Sequence, residues 1–335
     1  MKDILKLFFL ISLVFTTLIN CNADPEVQDP AVAKAAVPSS TVVNRLHLFD
    51  PGTTENLMKR LSNAITGSAD FELSQVPNLA PANLPGDIVN LDGQFRKDIF
   101  IRSLLPHIIF QNSLINSERE AALTYLFKLK NNDFIPDSLR DVVVSLLDKY
   151  RVGGSVSNSV SNDDLPGEDA VMRLLEKVDV VPVSLALAQA ANESGWGTSR
   201  FAMEGNNLFG HWKLYGPDGM IPEERPEGET YTLARFQHIS KAVERYLYNL
   251  NTNRAYRDFR KMRMEMRQRA VELDAVLLAT SLKLYSERGY DYVLSLVDII
   301  RQNNLERLDN SRLIRSNDTE NISLTLHNKG ARGKV

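Results

Sequence analysis

The chain has 335 residues, 43% apolar and 24% charged, with a formal net charge of −3. That length allows a sizeable core and more than one domain, and the charge balance gives no global basic field for nucleic acid. Five histidines without an HExxH motif or a pair at ligand spacing, together with one cysteine, exclude a thiolate metal cage and an internal disulfide, and no cofactor is expected.

The chain opens on "MKDILKLFFLISLVFTTLINCNADPE". Lys2 and Lys6 precede an uncharged, largely apolar run from Leu7 to Ile19, too short to span a bilayer well and built like a signal peptide, assigned to residues 1–23. Cleavage before Cys21 would free that cysteine for lipidation and so for a membrane anchor. Leu18-Ile19-Asn20-Cys21 resembles a lipobox, except that Asn20 stands where a small residue is usual. Cleavage after Ala23 is the alternative, and either one exports the protein. Residues 24–45, rich in Pro, Ala, Val and Ser, read as a tether.

Residues 46–151 read as a helical N-terminal region. Apolar residues recur at three- and four-residue steps around Phe95, Ile99, Phe100, Leu104 and Ile108, and Pro106 should kink or end that helix. Ser117 and Glu120 suggest a capping box that opens a new helix, and "PDSLRDVVVSLLDKY" a further one. His107, in an apolar stretch, reads as a satisfied packing residue. The Gly-, Ser- and Asn-rich stretch 152–169 reads as a flexible linker or loop.

Helical pattern returns in 170–308. "AVMRLLEKV" is followed by "PVSLALAQAANE", with Pro182 suited to a first turn. Residues 213–237 break the pattern and end in the alternating "ETYTLARF", expected as a small β-hairpin. Helices resume through "SKAVERYLYNLN", "ELDAVLLATSLKLY" and "YDYVLSLVDIIRQN". The arginines between Arg254 and Arg269 read as a solvated helix face. The polar tail 309–335 is expected to be disordered.

The informative stretch is "AQAANESGWGTSRFAMEGNNLFGHW", from Ala188 to Trp212. Gln189 and Glu193 share one face of a helix that is otherwise Leu, Ala, Val and Ser. Such a helix is normally buried, so Glu193 borders the core. Burial and the helix C-terminal carbonyls both disfavour its charged form. A carboxylic acid kept protonated can donate to a leaving oxygen, as glycoside hydrolysis requires. Gly195 and Gly197 permit close backbone approach. Trp196, Phe209 and Trp212 offer flat apolar faces, and Asn206 and Asn207 donate and accept hydrogen bonds, a mixture suited to sugar rings. Trp196 and Phe209 would equally serve as wedges into the core.

At these residues the chain resembles glycoside hydrolase family 73, the glucosaminidases that cut peptidoglycan, and within it the Bax-like branch. "LLEKVDVVPVSLALAQAANESGWG", "LYNLNTNRAYRDFR", "LYSERGYDYV" and "LPGDIVNLDGQFRKDIFIRSLLPHIIFQN" resemble that branch too, so the likeness runs from about Leu84 to Leu305. The resemblance implies a mainly α, lysozyme-like catalytic domain over 170–308 with a small β-hairpin lobe. It also implies cleavage of the β-1,4 bond between N-acetylglucosamine and N-acetylmuramic acid, with Glu193 as general acid. A second carboxylate is expected on the β lobe, where Glu223, Glu224, Glu227 and Glu229 lie; Glu229 is preferred and Glu224 next. Tyr285 matches a tyrosine that lines the family's groove, and as a catalytic candidate its hydroxyl would position a water or steady the charge developing at the sugar. Gln189, Trp196, Asn206, Asn207, Phe209 and Trp212 are the candidate glycan contacts. A lytic transglycosylase on the same fold and a non-catalytic wall-binding protein are the alternatives. The expected partner is peptidoglycan in the bacterial envelope.

Overall fold

In the computed structural model, which describes residues 45–64, 75–153, 166–213, 219–223, 225, 228 and 230–314, a single long helix serves as the spine. This helix, α2 (Gly93–Lys130), follows α1 (Thr54–Asn63) and is capped by Asp92, whose carboxylate accepts from the Phe95 N–H. At 1.5 Å per residue it extends ~57 Å. Pro106 lies inside it and does not end it, one of the two outcomes expected for it. Residues 103–109 are buried all round, so packing holds the helix through the one missing backbone donor. The suggested cap at Ser117 is mid-helix for the same reason: its hydroxyl donates back to Ser113 O at 3.1 Å.

Against α2 pack α3 (Asp137–Lys149), α4 (Glu168–Lys177), α5 (Val183–Ser194) and α7 (Ile239–Thr252). The short α6 (Arg200–Gly205) follows α5. Beyond α7 come α8 (Arg257–Gln268), α9 (Ala275–Ala279) and α10 (Tyr290–Gln302). The mainly α expectation holds. One apolar cluster reaches from Phe49 through α2 to Leu308, so the helical N-terminal region and the region carrying Glu193 share a core. No helix among the described residues is long and apolar enough to cross a membrane.

Strands are few and short. β1 (His47–Phe49) pairs in parallel with β3 (Leu79–Pro81), and β2 (Gln75–Pro77) with β6 (Arg312–Ile314). β6 falls within the stretch read as a disordered tail; there the backbone is ordered by pairing with a strand more than 200 positions earlier, which local composition does not reveal. The expected hairpin is present as β4 (Trp212–Lys213) and β5 (Thr232–Leu233), antiparallel with Trp212 opposite Leu233.

The arginine-rich segment is a solvated face only in part: Arg254, Arg257 and Arg269 are exposed, but Arg260 and Arg263 point inward. In α8, Arg263 is fully buried; its guanidinium donates to Glu176, Lys177, Asp179 and Val180 carbonyls at the C-terminal end of α4. Arg260, also buried, donates to Leu250 and Asn253 carbonyls. Helix C-termini carry unpaired carbonyls and partial negative charge, and these guanidinia satisfy both.

Candidate active site

Helix α5 carries the candidate acid, and both of its ends are tied down. Pro182 stands at the N-cap, one position before the helical turn expected for it, and supplies no side-chain cap. Asp309 replaces it through space, accepting from the Ser184 N–H at 2.8 Å and the Ser184 hydroxyl at 2.7 Å. From Val183 to Ala191 every residue is buried, as an all-apolar helix requires. At the far end Gly195, Trp196 and Gly197 all take positive φ (+58°, +57° and +81°), which turns the chain sharply. For Trp196 that conformation costs about 1 kcal/mol or more. Its ring meets Phe100 edge-on at 5.7 Å and lies 5.1 Å from Lys97 Nζ. A Cβ on Gly197 would stand 2.7 Å from Leu84 Cδ1 and 3.0 Å from Phe100 Cδ2. The turn is thus clamped onto α2, and Trp196 acts as a wedge.

This turn leaves Glu193 half-buried at the helix end. Burial pushes its carboxyl above the ordinary value. Hydrogen bonds from Tyr292 and Asn192 and the more distant charge of Arg288 oppose that only in part. The Asn192 amide donates to Oε1 at 3.4 Å. On the other side the backbone of Gly210 (φ +67°) closes in, so that a Cβ there would be 3.3 Å from Oε2. A tyrosine group surrounds the acid. Tyr285 stacks on Tyr292 at 5.5 Å and lies 5.7 Å from Tyr256, and the charge of Glu193 is felt by Tyr256, Tyr285 and Tyr292 alike.

The predicted glycan contacts divide. Trp212 is 58% exposed on β4 and meets Tyr231 edge-on at 4.8 Å. Gln189, Asn206, Asn207 and Phe209 are buried, and their polar groups bond within the fold, except Asn206 Oδ1, which has no partner. The Asn207 side chain works like a peptide unit: it accepts from the His211 N–H and donates to the His211 and Ala234 carbonyls, joining the start of β4 to the end of β5. Asn206, in the left-handed region at the end of α6, donates to Asn83 Oδ1 and Phe236 O. Phe209 lies flat on Tyr246 at 4.0 Å. Gln189 bridges Tyr246 and Tyr292. Residue type in a glycine-rich stretch does not tell a lining residue from a supporting one, because both need polar groups beside turns.

Tyr285 donates its hydroxyl to Phe209 O at 3.0 Å, so its proton is committed to the loop that approaches Glu193. Glu223 is exposed and pairs with Arg200 at 3.2 Å. Glu224, Glu227, Glu229 and Cys21 lie outside the described residues. His211 is half-buried between Phe209 and Phe236, its pKa lowered to about 4 by desolvation, and so is neutral at pH 7. His107 is neutral as well, lowered to about 3; its Nε2 is bonded to Pro81 O, while its Nδ1 has no partner. The sequence reading missed Tyr246, Tyr256 and Tyr292. They come from α7, the turn after it and α10; Tyr256 and Tyr292 lie in stretches that carry the family likeness, but nothing local marks either as a neighbour of Glu193.

A cleft of about 860 Å³ opens elsewhere, between β1, α2 and α7, lined among others by Phe110, Tyr150, Arg245 and Tyr248. Glu193 is not among its walls, so volume alone does not mark the chemistry.

The family described as mannosyl-glycoprotein endo-beta-N-acetylglucosaminidase matches residues 168–305, a span that includes Glu193 and its tyrosines. Among curated proteins, Protein bax of Escherichia coli (strain K12) is 32% identical over 200 residues, which cover 60% of this chain and 67% of that protein. No solved structure matches the chain.

Proposed function

The chain belongs to the Bax-like glucosaminidase family, and from that premise we propose that it is an endo-β-N-acetylglucosaminidase of the bacterial cell envelope, cutting the N-acetylglucosamine–N-acetylmuramic acid bond of peptidoglycan with Glu193 as general acid. The observation that carries this reading is the setting of Glu193: a carboxyl raised by burial at the end of a rigid apolar helix, close enough to the surface to meet a substrate. Protonated, it gives its proton to the glycosidic oxygen as the bond to the anomeric carbon breaks. Water then adds to the anomeric carbon and loses a proton. The group that assists the water is a β-lobe carboxylate, Glu229 before Glu224, or the substrate's own acetamido oxygen. Trp212, with Tyr231 at its edge, offers the exposed apolar face on which a sugar ring would rest. An export signal over residues 1–23 would place the enzyme where its substrate is, with Cys21 as the lipid attachment point if cleavage falls before it.

The test is digestion of purified sacculi by the full chain and by Glu193→Gln, which keeps the shape and removes the acid. New reducing N-acetylglucosamine ends should fall by about 10²–10⁴-fold in the variant. Equal release by both proteins would refute the assignment. Anhydro-muramic products by mass spectrometry would instead indicate a lytic transglycosylase, and binding to sacculi with no products a wall-binding protein.

A further inference from the structure

The polar atoms behind Glu193 run in one direction. Tyr246 donates its hydroxyl proton to Gln189 Oε1 at 2.6 Å. The Gln189 amide donates from Nε2 to the Tyr292 hydroxyl oxygen at 2.9 Å. With that oxygen receiving a proton from Gln189, one turn before Glu193 on the same helix, the Tyr292 hydroxyl is left to direct its own toward the neighbouring Glu193 carboxyl, whose charge it feels. Tyr246, Gln189 and Tyr292 are all fully buried. The opposite amide orientation would make Gln189 accept from Tyr292 and would set its NH₂ against the Tyr246 hydroxyl. Tyr292 could then no longer donate to the acid. Tyr246 therefore decides, two links away, which way Tyr292 points.

We infer that Tyr246, Gln189 and Tyr292 form a one-way donor chain that positions Glu193 and stabilises its carboxylate once the proton has left. The inference rests on the reading of Glu193 as the general acid. An acid buried without donors would hold its proton too strongly and would drift between rotamers. A neutral hydroxyl aimed at it steadies the ionised form without the full charge of an adjacent arginine. Tyr292 and Tyr246 are positioning residues, since neither need touch the substrate. Gln189, predicted as a glycan contact, is the switch point of the chain.

The other groups that face Glu193 come from several elements. Asn192 donates from its own helix. Arg288 acts from the turn before α10, with one guanidinium nitrogen engaged by Ser295 Oγ at 2.7 Å. Tyr256 follows α7 and bonds Asn249, Tyr285 bonds Phe209 O, and Gly210 contributes only backbone. Tyr292→Phe leaves all of these in place, keeps the stack on Tyr285, and removes one hydroxyl.

The test is a ¹³C NMR titration of the Glu193 carboxyl in the full chain, without substrate, for the wild type, Tyr292→Phe and Tyr246→Phe. The midpoint should rise by about one pH unit in Tyr292→Phe, a roughly tenfold gain in proton affinity, and by less, in the same direction, in Tyr246→Phe. The alkaline limb of sacculus digestion should move upward with it. A midpoint unchanged or lowered in Tyr292→Phe overturns the chain. If that variant does not fold, Tyr246→Phe decides alone: an upward shift supports the chain and no shift overturns it. Wild-type protein that leaves sacculi intact would sink the glucosaminidase reading while leaving the titration interpretable, so the two failures are distinguishable.

Discussion

The two ends of helix α5 hold a buried carboxylate, Asp179, and a half-buried one, Glu193, which desolvation pushes the same way and their neighbours push oppositely. Asp179, in the connection before the helix, meets Arg267 through two bonds of 3.0 and 2.9 Å, with Arg119 at 3.5 Å and Arg263 at 3.9 Å. Burial pushes its carboxyl up, yet the guanidinia outweigh that and hold it below the ordinary range. Glu193, at the other end, has only a tyrosine, an asparagine and a distant arginine, and there burial wins. The charge on Asp179 is locked in place and ties α2, α4 and α8 together. The charge on Glu193 is kept within reach of a proton. A buried acid becomes a structural post or a proton donor according to how many cations stand beside it.

Three substitutions would break or sharpen that contrast. The largest effect is expected from Asp179→Ala, which removes the counter-charge of the buried Arg119 and Arg263 and of the half-buried Arg267: a loss of about 3–5 kcal/mol in stability, read as a lower urea midpoint at an unchanged slope. A near-neutral result would mean that the α4 carbonyls alone suffice to hold the arginines. Gly197→Ala comes next. Its Cβ would press on Leu84 and Phe100 at a positive φ, so overpacking and strain should appear as a loss of about 2 kcal/mol, with sacculus digestion falling alongside as the Glu193 turn shifts. The smallest effect is a gain: Glu193→Gln should raise the melting temperature at neutral pH by about 1–3 °C, because it removes a buried group that prefers to be uncharged.

The pH dependence of stability follows with opposite signs for the two acids. The folded-state pKa of Asp179 is depressed, so its contribution is present above the unfolded value near 3.8 and is lost as pH falls through the folded pKa. That of Glu193 is raised, so its contribution is fully present below about 4.5 and is lost as pH rises through the folded pKa. The melting-temperature difference between Glu193→Gln and wild type should therefore widen from pH 4 upward and then level off. A constant difference would show that Glu193 titrates in the folded chain as it does in the unfolded one.

Much of this was legible beforehand, for reasons that differ from residue to residue. The all-apolar 183–191 run can only be an interior helix, so the partial burial of Glu193 at its end follows from spacing alone. Gly195 and Gly197 mark a turn because few other residues accept positive φ so readily. The hairpin shows through the alternation before Phe236. By contrast, the arginines of α8 look like a solvated face because a buried arginine and an exposed one have the same local pattern. What separates them is α4, whose open carbonyls arrive from some 85 positions away. Gln189, Asn206, Asn207 and Phe209 look like a sugar-binding set for the same reason: the groups that consume their hydrogen bonds and faces are distant in sequence.

The sequence by itself determined the mainly helical build, the place of the acid at a helix end, and the family likeness, because periodicity, glycine geometry and a contiguous motif are local properties of the chain. Only the tertiary structure decided which polar residues support rather than line the site, which arginines are interior, and how Tyr246, Gln189 and Tyr292 converge on Glu193. Proton affinity and hydrogen-bond direction depend on neighbours brought together through space, and these come from three separate helices of the chain.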